Sequence, residues 1–331
     1  MGRAGVFTSR RHRLRHVFAT AALAATVGMT SCASQPVTQA GRGSTDTSEP
    51  RDLNLNYKVL GAGRPLVLLH GYGLSTYSWR YLVDRLVQSQ RYKVYLVDLK
   101  GFGKSPKPID GAYSVHDQAR LIARLMAAER LCDVTLIGHS FGGGVALVTT
   151  LDGMPETPAR VTSLVLIDAA SYRTPLPLFV RVVRAPIIGR IVLLLTPAAV
   201  KAWALLYMSY YDSSRIAQEA ISTYARTLHG PGSRDALRET LRQLPPPDIE
   251  QLEARYSTIA VPTLIIWGRH DHVIPLSVGR KLHEVITGSE LVIVDDSAHI
   301  SHEEMPDQTV DAIVTFLAAI TALGPHPAQC P

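Results

Sequence analysis

The chain has 331 residues, of which 46% are hydrophobic and 19% charged, so apolar material for a buried core is ample and disorder is excluded for its bulk. That length suits two domains, or one large domain carrying an insertion. The formal charge is +6, but residues 1–31 hold five arginines and no acid, so the remainder stands at +1 and offers no net basic field to a nucleic acid.

Arg3, Arg10, Arg11, Arg13 and Arg15 precede an apolar run, Val17–Met29, that leads into Thr30-Ser31-Cys32. A basic start, a short apolar stretch and small residues make residues 1–31 read as an export signal. The run of 13 residues is too short to cross a bilayer as a helix. Met29-Thr30-Ser31-Cys32 resembles a bacterial lipobox, in which Cys32 would be lipidated and become the new N-terminus. The alternative is ordinary cleavage near Ala33 with Cys32 lost. The expected location is therefore a membrane-anchored lipoprotein of the cell envelope, otherwise a periplasmic or secreted protein. Residues 32–50, small and polar, read as a flexible linker, and 323–331 as a flexible tail.

From residue 51 short β-branched runs alternate with longer amphipathic ones, the signature of a mostly parallel sheet with helices on both faces. Leu53–Leu60 predicts an antiparallel lead-in strand. Further strands are expected at Pro65–His70, Lys93–Asp98, Val134–Gly138, Ser163–Asp168, Pro262–Trp267 and Glu290–Asp295. These runs are apolar on both faces, as doubly covered strands require. Between them, Val115–Arg130 carries Ala119, Ile122, Ala123 and Met126 on one stripe and reads as a helix. Cys132 precedes an apolar strand and reads as a small buried hydrophobe; a bridge to Cys330 is disfavoured, and three cysteines make no disulfide framework.

No strand pattern appears between Asp168 and Val261. Leu176–Tyr211 is very apolar but is interrupted by Arg190 and Lys201, and Ser213–Arg242 reads as two polar amphipathic helices separated by Gly230-Pro231-Gly232. The segment is expected to form a helical cap over the C-terminal edge of the sheet. The predicted organisation is a first core segment at 51–168, a cap at 169–260 and a second core segment at 261–322. Most of the cap's large apolar residues (Leu178, Phe179, Ile187, Ile188, Leu193, Leu194, Trp203, Leu206, Tyr207) are expected to pack onto the sheet domain, with some left to line an apolar pocket or meet lipid.

Gly138-His139-Ser140-Phe141-Gly142 is a G-x-S-x-G motif that follows an apolar strand and precedes a helical pattern. The glycines let strand and helix close around a strained turn that projects the Ser140 hydroxyl. A serine hydroxyl is a weak nucleophile and needs a base oriented by a carboxylate. In the order Ser, acid, His, the candidates are Asp271 after one strand and His299 after the next, both at the sheet edge that holds Ser140. Asp168, which also ends a strand, is the alternative acid.

His70-Gly71-Tyr72-Gly73, Asp98 to Ser105, Gly138 to Gly142, Gly268 to Asp271 and Asp296 to His299 stand in the order of the α/β-hydrolase superfamily. Over roughly residues 52–320 the chain resembles its branch with a helical cap between the sixth and seventh core strands, esterases and lipases included. The resemblance implies an oxyanion hole from the backbone N–H groups of Tyr72 and Phe141. It implies a hydrolase of carboxylic esters working without a cofactor, and the apolar content of the cap points to apolar or lipid-like esters. A C–C bond hydrolase or a cofactor-free peroxidase shares this fold and triad, and a non-catalytic binding protein is the reading from outside enzymes. His70 and His139 are expected to be structural and hydrogen-bonded, and Asp98 with Gly101-Phe102-Gly103 to form a tight turn. His270, His272, His299 and His302 lack familiar ligand spacing, so no metal is expected. The sequence says nothing of oligomeric state.

Overall fold

A computed structural model describes residues 55–153 and 159–322. The export signal, Cys32 with its lipidation, the 32–50 linker and the 323–331 tail lie outside the described residues.

Seven strands form one sheet: β1 (Tyr57–Gly61), β2 (Arg64–Leu69), β3 (Tyr92–Val97), β4 (Val134–His139), β5 (Val161–Ile167), β6 (Thr263–Gly268) and β7 (Glu290–Val294), in the order β1-β3-β2-β4-β5-β6-β7. The lead-in strand β1 pairs antiparallel with β3, and every other pairing is parallel. Because successive strand residues point to opposite faces, the strands inside the edge strand β1 feed two cores. Leu69, Leu136, Leu166 and Ile265 pack on one side, with Ile122 and Met126 of α2 (Val115–Ala128) and Val145 of α3 (Phe141–Asp152). Leu68, Ile137, Val165 and Ile266 pack on the other, with Leu82 and Leu86 of α1 (Arg80–Gln88) and Ile313 and Phe316 of α12 (Pro306–Ala322).

The helix expected to reach Arg130 stops at Ala128, since Arg130 turns to φ 50°. At its start, Ser114 and Asp117 satisfy each other's free backbone amides in a capping box. Cys132 is disulfide-bonded and only half-buried, which corrects its reading as a free buried side chain; Cys32 and Cys330 lie outside the described residues.

Between β5 and β6 lie six α-helices: α4 (Leu178–Arg184), α5 (Ile188–Leu195), α6 (Ala198–Ser209), α7 (Gln218–Thr227), α8 (Ser233–Arg242) and α9 (Ile249–Arg255). The insertion follows the fifth strand among the described residues. Pro197 divides the apolar stretch by capping α6, and Gly232, at φ 74°, turns the chain into α8. Among the described residues no single helix is long and apolar enough to cross a membrane. The expected packing of the apolar residues needs correction. Leu193 and Leu206 are buried, but Leu178, Ile187, Ile188, Leu194, Trp203 and Tyr207 are exposed, because α5 and α6 are too apolar to put every such side chain inward. After β6 come α10 (Leu276–Val285) and, after β7, α11 (Ser301–Glu304).

Candidate active site

β4 is followed by Ser140, whose φ of 50° and ψ of −116° are unfavourable for any residue with a side chain. Three main-chain bonds hold it there. Its N–H donates to Ile167 O at 3.0 Å, and its carbonyl accepts from Gly144 N at 3.1 Å and Ala170 N at 2.9 Å. The flanking glycines are a steric necessity: a Cβ at Gly138 would stand 2.5 Å from Gly142 O, and one at Gly142 would stand 2.2 Å from Leu69 O.

The parallel topology brings the loops after β4, β6 and β7 to one edge. His299 Nε2 lies 2.8 Å from Ser140 Oγ, and His299 Nδ1 lies 2.7 Å from Asp271 Oδ2. The other oxygen of Asp271 accepts from the amides of Val273 at 2.8 Å and Ile274 at 2.9 Å, which fixes the carboxylate. All three side chains are nearly closed to bulk water. Burial by itself would lower the His299 imidazole, but the charge and hydrogen bond of Asp271, helped by Asp168, raise it above the ordinary histidine value.

Among the described residues Asp168 makes no hydrogen bond to His299. Its carboxylate accepts from Gly268 N at 2.8 Å and Ser301 Oγ at 3.1 Å, so it braces the loops that carry Asp271 and His299. Burial, and then the nearby charge of Asp271, raise its carboxyl to about 7. Tyr72 and Phe141 line the cavity that holds Ser140 and His299, and among the described residues neither backbone N–H has a protein acceptor. Those two amides are free to receive an oxyanion.

His70 is buried with both nitrogens engaged, Nδ1 donating to Gly71 O at 2.8 Å and Nε2 accepting from Leu99 N at 3.1 Å. Asp98 accepts from Asn56 Nδ2 at 2.7 Å, Thr76 N at 2.7 Å and Lys104 N at 2.9 Å, which makes its turn structural. His139 is buried and hydrogen-bonded through one ring nitrogen. Its Nε2 donates to His299 O at 2.7 Å, but Nδ1 has no partner among the described residues, because Gly71 packs directly against it.

Ser78, Arg80, Glu303 and Glu304 were not singled out in the sequence, and His302 was weighed there only as a metal ligand. His302 stands 4.5 Å from His139, ring to ring, and bonds Ser78 Oγ at 2.7 Å. Ser78 donates to Glu303 at 2.7 Å, and Glu303 is paired with Arg80 at 2.7 Å. Glu304 accepts from Ala298 N at 2.9 Å, Asp212 N at 2.8 Å and Tyr211 N at 3.1 Å, joining the His299 loop to the chain just beyond α6. Ser-His-Glu-Glu looks like a solvated run, so only the fold could reveal these roles. Among the described residues no group of His, Cys, Asp and Glu has an arrangement that could hold a metal.

The sequence pattern of the Alpha/beta hydrolase family matches residues 66–312. A 2-hydroxy-6-oxononadienedioate/2-hydroxy-6-oxononatrienedioate hydrolase of Escherichia coli K12 is 28% identical over 283 residues, covering 81% of this chain and 92% of that protein. A meta-cleavage product hydrolase of Pseudomonas fluorescens IP01 is 27% identical with a TM-score of 0.68, covering 81% of this chain and 95% of that one. An esterase of Exiguobacterium antarcticum, 23% identical with a TM-score of 0.66 over 80% of this chain and 95% of that one, shares the fold. With 247 consecutive positions matched and the sheet order observed, this chain belongs to the alpha/beta hydrolase family.

Proposed function

We propose that this hydrolase cleaves neutral, apolar carboxylic esters through an acyl-enzyme. The observation that carries the reading is the wall of the cavity. Ser140 and His299 open into a space lined by residues such as Val148, Phe179, Val180, Leu205 and Ile249, and among the described residues lining it there is no Lys or Arg. By its name, the Escherichia coli relative acts on a dicarboxylate. In this cavity such a substrate would bury carboxylates without a counter-charge, which is costly. A neutral ester with an apolar acyl chain meets no such cost.

The steps follow from the hydrogen-bond chain. Ser140 Oγ attacks the carbonyl carbon as its proton passes to His299 Nε2, and Asp271 stabilises the imidazolium. The amides of Tyr72 and Phe141 receive the oxyanion; such donors are typically worth about 3–4 kcal/mol each. The tetrahedral centre collapses, the C–O bond to the alcohol breaks, and His299 protonates the departing oxygen. Water, deprotonated by the same imidazole, then frees the acid and restores Ser140.

The second reading, a C–C bond hydrolase, is supported by two relatives at 27–28% identity. One experiment separates them: fluorophosphonate labelling of Ser140, then turnover of p-nitrophenyl esters from acetate to palmitate beside a 2-hydroxy-6-oxo-dienoate. Ester turnover with a chain-length optimum supports the proposal. Turnover of the dienoate alone refutes it in favour of the second reading, and a protein inert to probe and substrates would be a binding protein.

We further propose export with lipidation at Cys32, giving membrane anchoring. The disulfide at Cys132 supports an oxidising compartment. Labelled-palmitate incorporation that is lost in Cys32→Ser tests it; equal incorporation, or none in either chain, refutes it.

A further inference from the structure

The insertion carries a surface that the hydrolytic site does not use. On α5, Ile188, Ile191, Leu194 and Leu195 share the outward face and are 59%, 48%, 61% and 73% exposed. On α6 the outward stripe is Val200, Trp203 and Tyr207, one helical turn apart, with Trp203 and Tyr207 stacked 5.0 Å ring to ring. Ile187 and Leu178 extend the patch toward α4. A helix on the surface of a soluble domain puts polar residues outward, whereas these helices are apolar on the inner and the outer face alike.

Charge is sorted in the same place. From Asp168 to Asp212 the chain has no acid between its ends, while Arg173, Arg181, Arg184, Arg190 and Lys201 fall inside. Over the insertion, residues 169–260, eleven Lys and Arg stand against seven Asp and Glu, so the near-neutral total beyond the N-terminal segment hides a cationic insertion on a more acidic sheet body. Arg190 on α5 and Arg181 on α4 are exposed. On neighbouring α8, Glu239 is already paired with Arg238 and Arg242.

We propose that the outer face of α5 and α6 docks on an anionic lipid bilayer, its apolar side chains entering the acyl boundary while Arg190 of α5 and Arg181 of neighbouring α4 meet the headgroups. Apolar side chains rimmed by cations, with no acid among them, fit that partner. Helices of 8 and 12 residues that meet at a bend of 108° lie on a bilayer rather than span it. The surface is also the back of the cavity wall: α4 gives Phe179 and Val180 to the cavity, and α6 gives Leu205 and Met208. The docked face therefore sets the catalytic cavity one helix thickness from the lipid. The inference stands on exposure and charge and does not require the ester reading.

Trp203 is a built-in reporter, because the other tryptophans, Trp79 and Trp267, are fully buried. The full chain is mixed with phosphatidylcholine vesicles containing phosphatidylglycerol and brominated acyl chains. Trp203 emission is expected to shift to the blue and to be quenched, with loss of the effect in Trp203→Phe and in Leu194→Asp/Leu195→Asp. Both leucines are outside the cavity lining, so the double variant is expected to keep the melting curve and the fluorophosphonate labelling of the unaltered chain, which report that it is folded. Quenching is expected to weaken without phosphatidylglycerol and in high salt. An N-terminal tether alone would bring the protein to the vesicle without burying Trp203. Emission untouched by the brominated lipid, or quenched equally in the double variant, overturns the proposal. So does a lipid-free dimer that the double variant dissolves, which would make a second copy the occupant.

Discussion

The backbone N–H of His299 donates to the carbonyl of Ser209 at 2.9 Å, so the residue that relays the proton is fastened through its main chain to the last turn of α6. The opposite side of that turn's helix is exposed, and its inner side walls the cavity. One helix therefore connects the base, the substrate space and the outer surface.

Replacing Ser140 by Ala removes the nucleophile without touching the three main-chain bonds that hold the turn. Turnover should fall on the order of 10⁴-fold or more, with an unchanged melting curve and no fluorophosphonate labelling. Labelling that persists at another serine would mean that the nucleophile had been misassigned.

The two buried aspartates should separate sharply. Asp271→Asn loses the charge beside His299 Nδ1, and kcat should drop by about 10³–10⁴-fold. Asp168→Asn keeps an oxygen for Gly268 N or Ser301 Oγ and should cost about tenfold at most, through loosened loops. Measured kcat values in the reverse order would make Asp168 the acid.

Acidity adds an independent check. His299 must be neutral to accept a proton, and its ionisation is raised above 6.5, so kcat/KM should fall with decreasing pH along a limb centred above 6.5. Stability should respond in another window. Asp168 is raised from 3.8 to about 7, so the fold favours its protonated form, and the contribution present at low pH is lost as pH rises through about 7. Thermal melts across that range should flatten in Asp168→Asn; an unaltered slope would contradict the assignment.

Glu304 is a positioning residue. Its oxygens serve Ala298 N and Ser297 Oγ on the His299 loop, and Tyr211 N and Asp212 N beyond α6. In Glu304→Gln an amide NH₂ must face at least one of these donors. The expected cost is about 1–3 kcal/mol of stability, with kcat lowered more than KM changes. A purely structural role would leave kcat of the folded fraction intact.

Much of the sheet was legible because strands covered on both faces need unbroken apolar runs, and those runs lie within two residues of β2 to β7. Ser140 was legible because a strained turn between packed elements admits little but glycine at Gly138 and Gly142. What escaped depends on partners distant in sequence. Glu303 and Glu304 are 5% exposed only because Arg80, Ser78 and the Tyr211 and Asp212 amides come to meet them. Cys132 escaped for the same reason, its pairing being invisible to local pattern. The outward apolar face of α5 and α6 ran against the rule that such residues turn inward.

His299, His139 and His302 stand in a row, with ring centres 5.2 Å and then 4.5 Å apart. Burial, followed by the other two imidazoles for His139 and by Arg80 and His299 for His302, holds both well below the ordinary histidine range. Only the ring facing Asp271 can ionise, so the row has room for a single positive charge. In mixtures of light and heavy water, the acylation rate should then vary linearly with deuterium fraction, the mark of one proton in flight; a bowed dependence would mean that a neighbouring imidazole joins the relay.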